Sequence, residues 1–471
     1  MLAVLTGWDP AGVGACKMPE PWDDARREAV SANRCSFLTR GAIPAERCAD
    51  DHSRHGSHPV AKRQVSFAQF KGGRVNRGTE LAGTTGPQLM ATIRQQVAAN
   101  RRAFAKPEVK AWCARRWRFL FLNEAVKDPV ALDHATRRFW DRRSPRQRIA
   151  EYYLLGEAQA AWRDEQPEPT VARIEKTTFV ACPGLLNGLL PVRDFHKQLP
   201  RIQQRFSMRV LRADAHPARG CEANVADLLR ALNEGQGRDV HGDEIPPLSA
   251  VPPGDVFMLG YSKGAADLLT LLVKHPAIRS RVRCIFTWAG AIGGSEIADQ
   301  TAGKFARSRL QQQALAIASD AKMFLPGALK LGKNAISRVH EFDTAAAVQD
   351  LTTKVRRAFL AEHAAALDAL DLPMFYFSGA TRLSEVPWSQ RAGFRALSRI
   401  DQFNDMQVTR ANASLPMPMA TDLGALRGHH WDLAYPSFQK RRWLNNTYHP
   451  FPKEAALASI VILAAELGLI D

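Results

Sequence analysis

No uninterrupted apolar stretch reaches the roughly 18 residues a membrane-spanning helix requires, so no span is expected. The longest apolar run, Ala455 to Ile470, is interrupted by Glu466. Met1 to Trp8 is apolar but too short for the core of a secretory signal, and it lacks a basic n-region. The seven cysteines (Cys16, Cys35, Cys48, Cys113, Cys182, Cys221 and Cys284) include no CxxC pair, which leaves a zinc ribbon or a thioredoxin-like site without support. Their odd number and scattered spacing suit free thiols in a reducing compartment, and a cytoplasmic location is expected. There is no internal repeat and no compact Lys/Arg block of the nucleic-acid-tail type.

What is present is a long chain, 471 residues with 45% hydrophobic content, ample for a sizeable core. Its net charge of +17 is read as charge spread over solvated helix faces, with a basic patch for nucleic acid, an anionic membrane or an acidic substrate as the second reading. Residues 1–86 mix Gly, Pro, Arg, His and Ser without sustained apolar periodicity and are expected to be poorly structured. His52, His55 and His58 in that stretch lack the further ligands that would complete a metal site. Residues 87–170 form a helical N-terminal region. The spacing predicts helices from Gln88 to Phe104, Pro107 to Ala125, Pro129 to Arg142 and Pro145 to Trp162. The last three open on a proline, which suits a first helical turn. Trp112-Cys113-Ala114-Arg115-Arg116-Trp117-Arg118 reads as one amphipathic helix with Trp inward and Arg outward.

From about residue 171 short apolar runs alternate with amphipathic helical stretches, as βαβ units require. Strands are expected at Thr177 to Cys182, Met208 to Ala213, Asp255 to Leu259, Val282 to Trp288, Met374 to Ser378 and Leu423 to Leu426. About 80 residues separate the fourth and fifth of these, far more than a parallel crossover needs, so 300–371 is read as a helical cap insertion.

The chemistry centres on Gly260-Tyr261-Ser262-Lys263-Gly264. A strand signal, Val256 to Leu259, runs directly into it, and a helix signal, Ala265 to Val273, runs directly out. A strand that turns abruptly into a helix forces the residue between them into a strained conformation and exposes its hydroxyl at the positive end of a helix. Ser262 is therefore the candidate nucleophile. Lys263 is expected to pair with Asp267 on the helix surface, with an attraction for anionic substrates as the second reading.

These residues resemble the α/β-hydrolase superfamily, especially its bacterial lipase- and esterase-like members, over about 171–471. The resemblance is carried by Cys182-Pro183-Gly184-Leu185-Leu186, Gly260 to Gly264, Asn404-Asp405 with Val408, and His430 with Trp431. It implies an α/β fold with a mostly parallel sheet, and catalytic groups in the order Ser262, Asp405, His430. The lipase-like acid motif is usually Asn-Asp-Gly-x-Val, and Met406 stands where its glycine would be. Asp401, Asp422 and Asp432 remain rival acids, and His429 is read as a neighbour of the base. The resemblance also implies an oxyanion hole from the backbone N–H groups of Leu185 and Lys263.

The function so implied is hydrolysis of a carboxylic ester of small-molecule or lipid-like character. It proceeds through an acyl-enzyme and calls for no metal or organic cofactor. Met323-Phe324-Leu325-Pro326-Gly327 in the cap suggests an apolar substrate, and peripheral membrane contact is compatible with it. Thioester, amide or intracellular polyester hydrolysis would use the same three residues. A different class of reading is a non-catalytic α/β-hydrolase-fold protein that binds membrane or nucleic acid through 87–170.

Overall fold

The computed structural model describes residues 86–471 apart from 138–139, 157, 170–172, 186–192, 307–337, 388–389 and 437–448. Residues 1–85, with their three histidines and three cysteines, lie outside the described residues, as do Leu186 and Met323 to Gly327. No helix among the described residues is long and apolar enough to cross a membrane.

Seven strands among the described residues form one sheet: β1 (Leu154–Leu155), β2 (Thr177–Cys182), β3 (Val210–Arg212), β4 (Asp255–Tyr261), β5 (Val282–Trp288), β6 (Met374–Ala380) and β7 (Ala420–Arg427). Their spatial order is β1-β7-β6-β5-β4-β2-β3. Every neighbouring pair is parallel except β1 with β7. The chain leaves β2 outward to β3 and returns to β4 on the other side, so the order reverses between β2 and β4. Crevices at such reversals, beyond the carboxyl ends of the strands, are where ligands bind in open α/β sheets.

Strand residues point alternately to opposite faces. Phe257, Leu259 and Tyr261 of β4, Phe286 and Trp288 of β5, and Phe375 and Phe377 of β6 all join one apolar cluster. Val256 and Met258, Ile285, and Met374 from the same strands join another. The first face is aromatic: Trp288 meets Phe377 at 4.5 Å between ring centres, and Trp117 of helix Pro107–Ala125 stacks on Phe377 at 5.8 Å. Helix Lys453–Glu466, buried on nearly all sides, belongs to this cluster too. Helices Cys221–Glu234 and Lys263–Lys274 cover the second face.

Pro107, Pro129 and Pro145 each open a helix as expected, and Asp128 and Ser144 cap the last two by accepting backbone N–H bonds. Several expectations change. The helix expected from Gln88 to Phe104 ends at Ala99 and is followed by a separate 3-10 turn, Arg101–Ala105, and the one expected from Pro129 to Arg142 ends at Ala135. The helix expected from Pro145 to Trp162 stops at Tyr153. Leu154 and Leu155 instead pair with Leu426 and Ala425 along the edge of β7, and Gly156 turns away at φ 92°. The pairing covers part of an otherwise open sheet edge. Within Pro107–Ala125 the tryptophans are buried as expected, but Arg116 is buried with them. Its guanidinium makes a paired contact with Glu466, 2.8 and 2.6 Å, and donates to the Pro167 carbonyl at 2.6 Å.

The described parts of 300–371 are helical: the end of Glu296–Ala306, then Thr344–Gln349, Thr353–Glu362 and Ala364–Asp368. They are tied to the sheet layer by Asp350 accepting from the Cys221 N–H at 2.6 Å and by buried Arg356 donating to the Ile292 carbonyl at 3.2 Å.

Candidate active site

Ser262 sits between the last residue of β4 and the first of helix Lys263–Lys274, with φ 54° and ψ −121°. A non-glycine residue there is strained, and the surroundings must over-determine it. They do so through its backbone: its N–H donates to the Trp288 carbonyl at 3.1 Å, and its carbonyl accepts from Ala291 and Ala265 at 3.1 and 3.2 Å. The flanking glycines make room. A Cβ on Gly264 would lie 2.3 Å from the Cys182 carbonyl oxygen, and one on Gly260 would lie 2.7 Å from Ala265 Cα. The spacing in the pentapeptide is thus a steric requirement of strand and helix in close approach.

His430, in the turn after β7, places Nε2 at 2.8 Å from Ser262 Oγ and Nδ1 at 2.7 Å from Asp405 Oδ2. Asp405 is buried, and its other oxygen accepts from the backbone N–H groups of Gln407 and Val408 at 3.0 and 2.8 Å. The backbones are joined as well, with the His430 N–H donating to the Asp405 carbonyl at 2.8 Å. Met406 has φ 73° in this turn, which is why the related motif favours glycine there. Its side chain is buried with Val386 and Phe394.

The rival acids are engaged elsewhere. Asp401 accepts from the Phe403 N–H at 2.9 Å, and Asp422 pairs with Arg410 at 3.0 Å. Asp432 lies 3.1 Å from His429 Nε2 and 3.5 Å from His449 Nδ1. Burial pushes both of these histidines down to about 3, so they are neutral imidazoles at neutral pH.

Lys263 does pair with Asp267, at 2.6 Å, but not on the helix surface: both side chains are 1% exposed. Asn224 donates to the second Asp267 oxygen at 3.0 Å. Burial disfavours the ammonium, yet the adjacent carboxylate outweighs it and raises the lysine above its usual range. The charge faces inward and is neutralised there. As the first residue of its helix, Lys263 has a backbone N–H with no intrahelical acceptor.

The loop after β2 passes over the serine. A Cβ on Gly184 would lie 3.1 Å from Ser262 Cβ, so Leu185 follows directly beside the nucleophile. The Gly184 N–H donates to the buried Asp194 carboxylate, which is held in turn by Arg212 at 3.0 Å. Pro183-Gly184 brings this backbone against the serine. Sequence reasoning passed over Asp194, Arg212 and Tyr261. Arg212 lies on the next strand, Asp194 sits further along the same connection after β2 with no motif to mark it, and Tyr261 lay inside the motif already noticed.

The parallel sheet, its reversal between β2 and β4, and the strand–Ser262–helix turn at that reversal define an α/β-hydrolase fold. The chain is similar to several solved structures. A metagenomic carboxyl esterase aligns with 74% of this chain and 91% of its own, at TM-score 0.52 and 20% identity. A Bacillus licheniformis lipase in its mature form aligns with 57% of this chain and 89% of its own, at TM-score 0.36 and 20% identity. A Staphylococcus hyicus lipase aligns with 65% and 98%, at TM-score 0.40 and 11% identity. At such identities the esterase likeness speaks to the fold. No protein-family model and no curated protein matches the sequence.

Proposed function

We propose that the protein is a serine hydrolase of carboxylic esters. The observation that carries this reading is the continuous row Ser262–His430–Asp405, with contacts of 2.8 and 2.7 Å. His430 Nε2 takes the Ser262 proton as Oγ attacks the ester carbonyl, and Asp405 holds the ring and stabilises the imidazolium that forms. The N–H groups of Lys263 and Leu185 receive the tetrahedral oxygen, each such donor being worth about 3 kcal/mol in comparable sites. His430 then protonates the departing alcohol, leaving an acyl-serine. The same histidine activates water to release the acid and restore Ser262. These residues carry every proton transfer themselves.

The apolar side chains beside the site favour an apolar acyl group. Leu185 packs against a cluster containing Ala266 of the nucleophile helix, Ala291 of the turn after β5, Ala298 of helix Glu296–Ala306 and Val348 of the cap. Esters are the proposed bond type because the esterase sharing this fold acts on carboxyl esters by name. The test compares the full chain with its Ser262→Ala variant on nitrophenyl esters of graded chain length and with a fluorophosphonate probe. Wild type is expected to turn over the esters and to label at Ser262. The variant should do neither, and equal turnover by the two proteins would refute the reading.

A further inference from the structure

Tyr261 directly precedes Ser262, and the chemistry above makes no use of it. Its side chain is 2% exposed. The phenol hydroxyl donates to the His430 carbonyl oxygen at 2.9 Å. The phenol ring stacks on the His430 imidazole, with ring centres 5.1 Å apart and planes 28° from parallel. The same ring backs the loop after β2, since a Cβ on Gly184 would lie 2.9 Å from Tyr261 Cδ1 and 3.0 Å from Cε1. Phe195 and Tyr435 meet it edge-on, at 5.9 and 6.1 Å between ring centres.

We propose that Tyr261 is the positioning residue of the base: it holds the His430 carbonyl and the imidazole face so that Nε2 stays aimed at Ser262, while its ring supports the loop that leads to Leu185. The proposal deepens the serine-hydrolase reading and rests on it. Asp405 holds the His430 N–H and Nδ1. What those contacts leave open is the carbonyl and the ring face, and these are the groups that Tyr261 meets. Burial pushes the Tyr261 phenol well above its usual range, so the hydroxyl remains a donor at any working pH. An aromatic face beneath the ring also favours the imidazolium that forms during the reaction, because the ring quadrupole attracts a cation. Small losses of alignment at a reacting centre are costly, about 100-fold for a displacement near 1 Å.

The experiment uses the full chain with Tyr261→Phe and Tyr261→Leu, each made with His430 intact and in a His430→Ala background. It measures kcat and KM on a short-chain nitrophenyl ester, the rate of fluorophosphonate labelling, and thermal unfolding. Tyr261→Phe keeps the ring and leaves one buried carbonyl unpaired, so kcat should fall about tenfold. Tyr261→Leu also removes the stacked face, and the expected loss is about 100-fold. KM should stay within about twofold in both, with labelling slowed in step with kcat, as for an interaction felt in the transition state. With His430 already replaced by alanine, Tyr261→Phe should change the residual rate by less than about twofold, because the two residues act as one unit.

An equal loss in both backgrounds would mean that Tyr261 merely fills space, and would overturn the proposal. Unchanged kcat in Tyr261→Phe would overturn it too, and that variant decides alone if Tyr261→Leu does not fold. Failure of the hydrolase reading looks different: Ser262→Ala and His430→Ala would then keep full turnover. If both abolish turnover while Tyr261→Phe runs at the full rate, only the role of Tyr261 falls.

Discussion

Asp405 differs from Asp401, Asp422 and Asp432 in what its two oxygens meet. One faces His430 Nδ1 at 2.7 Å, and the other takes two backbone N–H groups, so the carboxylate is fully engaged and its direction set. Asp405→Asn would present an amide where the imidazole needs an acceptor, and kcat should fall on the order of 10³–10⁴-fold. Asp401→Asn and Asp422→Asn, which alter a turn and a surface pair, should leave kcat within about threefold. Steady-state kinetics on a single ester compares all three, and the opposite ranking would move the acid away from Asp405. The four aspartates share a stretch of sequence, and composition alone does not separate them. What separates them is which carboxylate the β6 and β7 loops carry to the histidine.

At the scale of elements, the turn from β4 into helix Lys263–Lys274 was legible because steric need and sequence pattern coincide. Glycine is required where backbone meets backbone, as at Gly264 against the Cys182 carbonyl. Gly264→Ala should destabilise the protein by at least about 2 kcal/mol, since the obstructing atoms belong to the adjoining loop and cannot swing aside. It should also slow fluorophosphonate labelling. Gly254→Ala is the control: a Cβ there meets nothing within 4 Å, and stability should change by less than about 0.5 kcal/mol. Urea midpoints for the two variants decide the matter. The edge strand β1 was not legible. Two leucines at the end of a helical pattern extend the helix as readily as they start a strand, and only the open edge of β7 selects the strand.

At the scale of the whole molecule, the helices of 87–170 and the sheet share one apolar core, in which Trp117 and Phe121 meet Phe377 and Phe451. The buried pair Arg116–Glu466 joins helix Pro107–Ala125 to helix Lys453–Glu466. Arg116→Ala would strand a buried carboxylate, at a cost of about 3–5 kcal/mol, whereas Arg116→Met with Glu466→Leu should recover most of that loss. Chemical denaturation of the single and double variants tests this. A harmless Arg116→Ala would show that the two helices do not depend on the pair. The local pattern of residues by itself determined the order of strands β2 to β7, the strained serine and the glycines around it, because these follow from periodicity and short-range sterics. Only the tertiary structure decided which aspartate faces His430, that Lys263 and Arg116 turn inward to buried partners, and that Tyr261 lies beneath the histidine. Apart from the Lys263–Asp267 pair, four residues apart and buried by the elements around it, those outcomes depend on atoms tens to hundreds of residues apart in the chain, brought together by the burial of a common core.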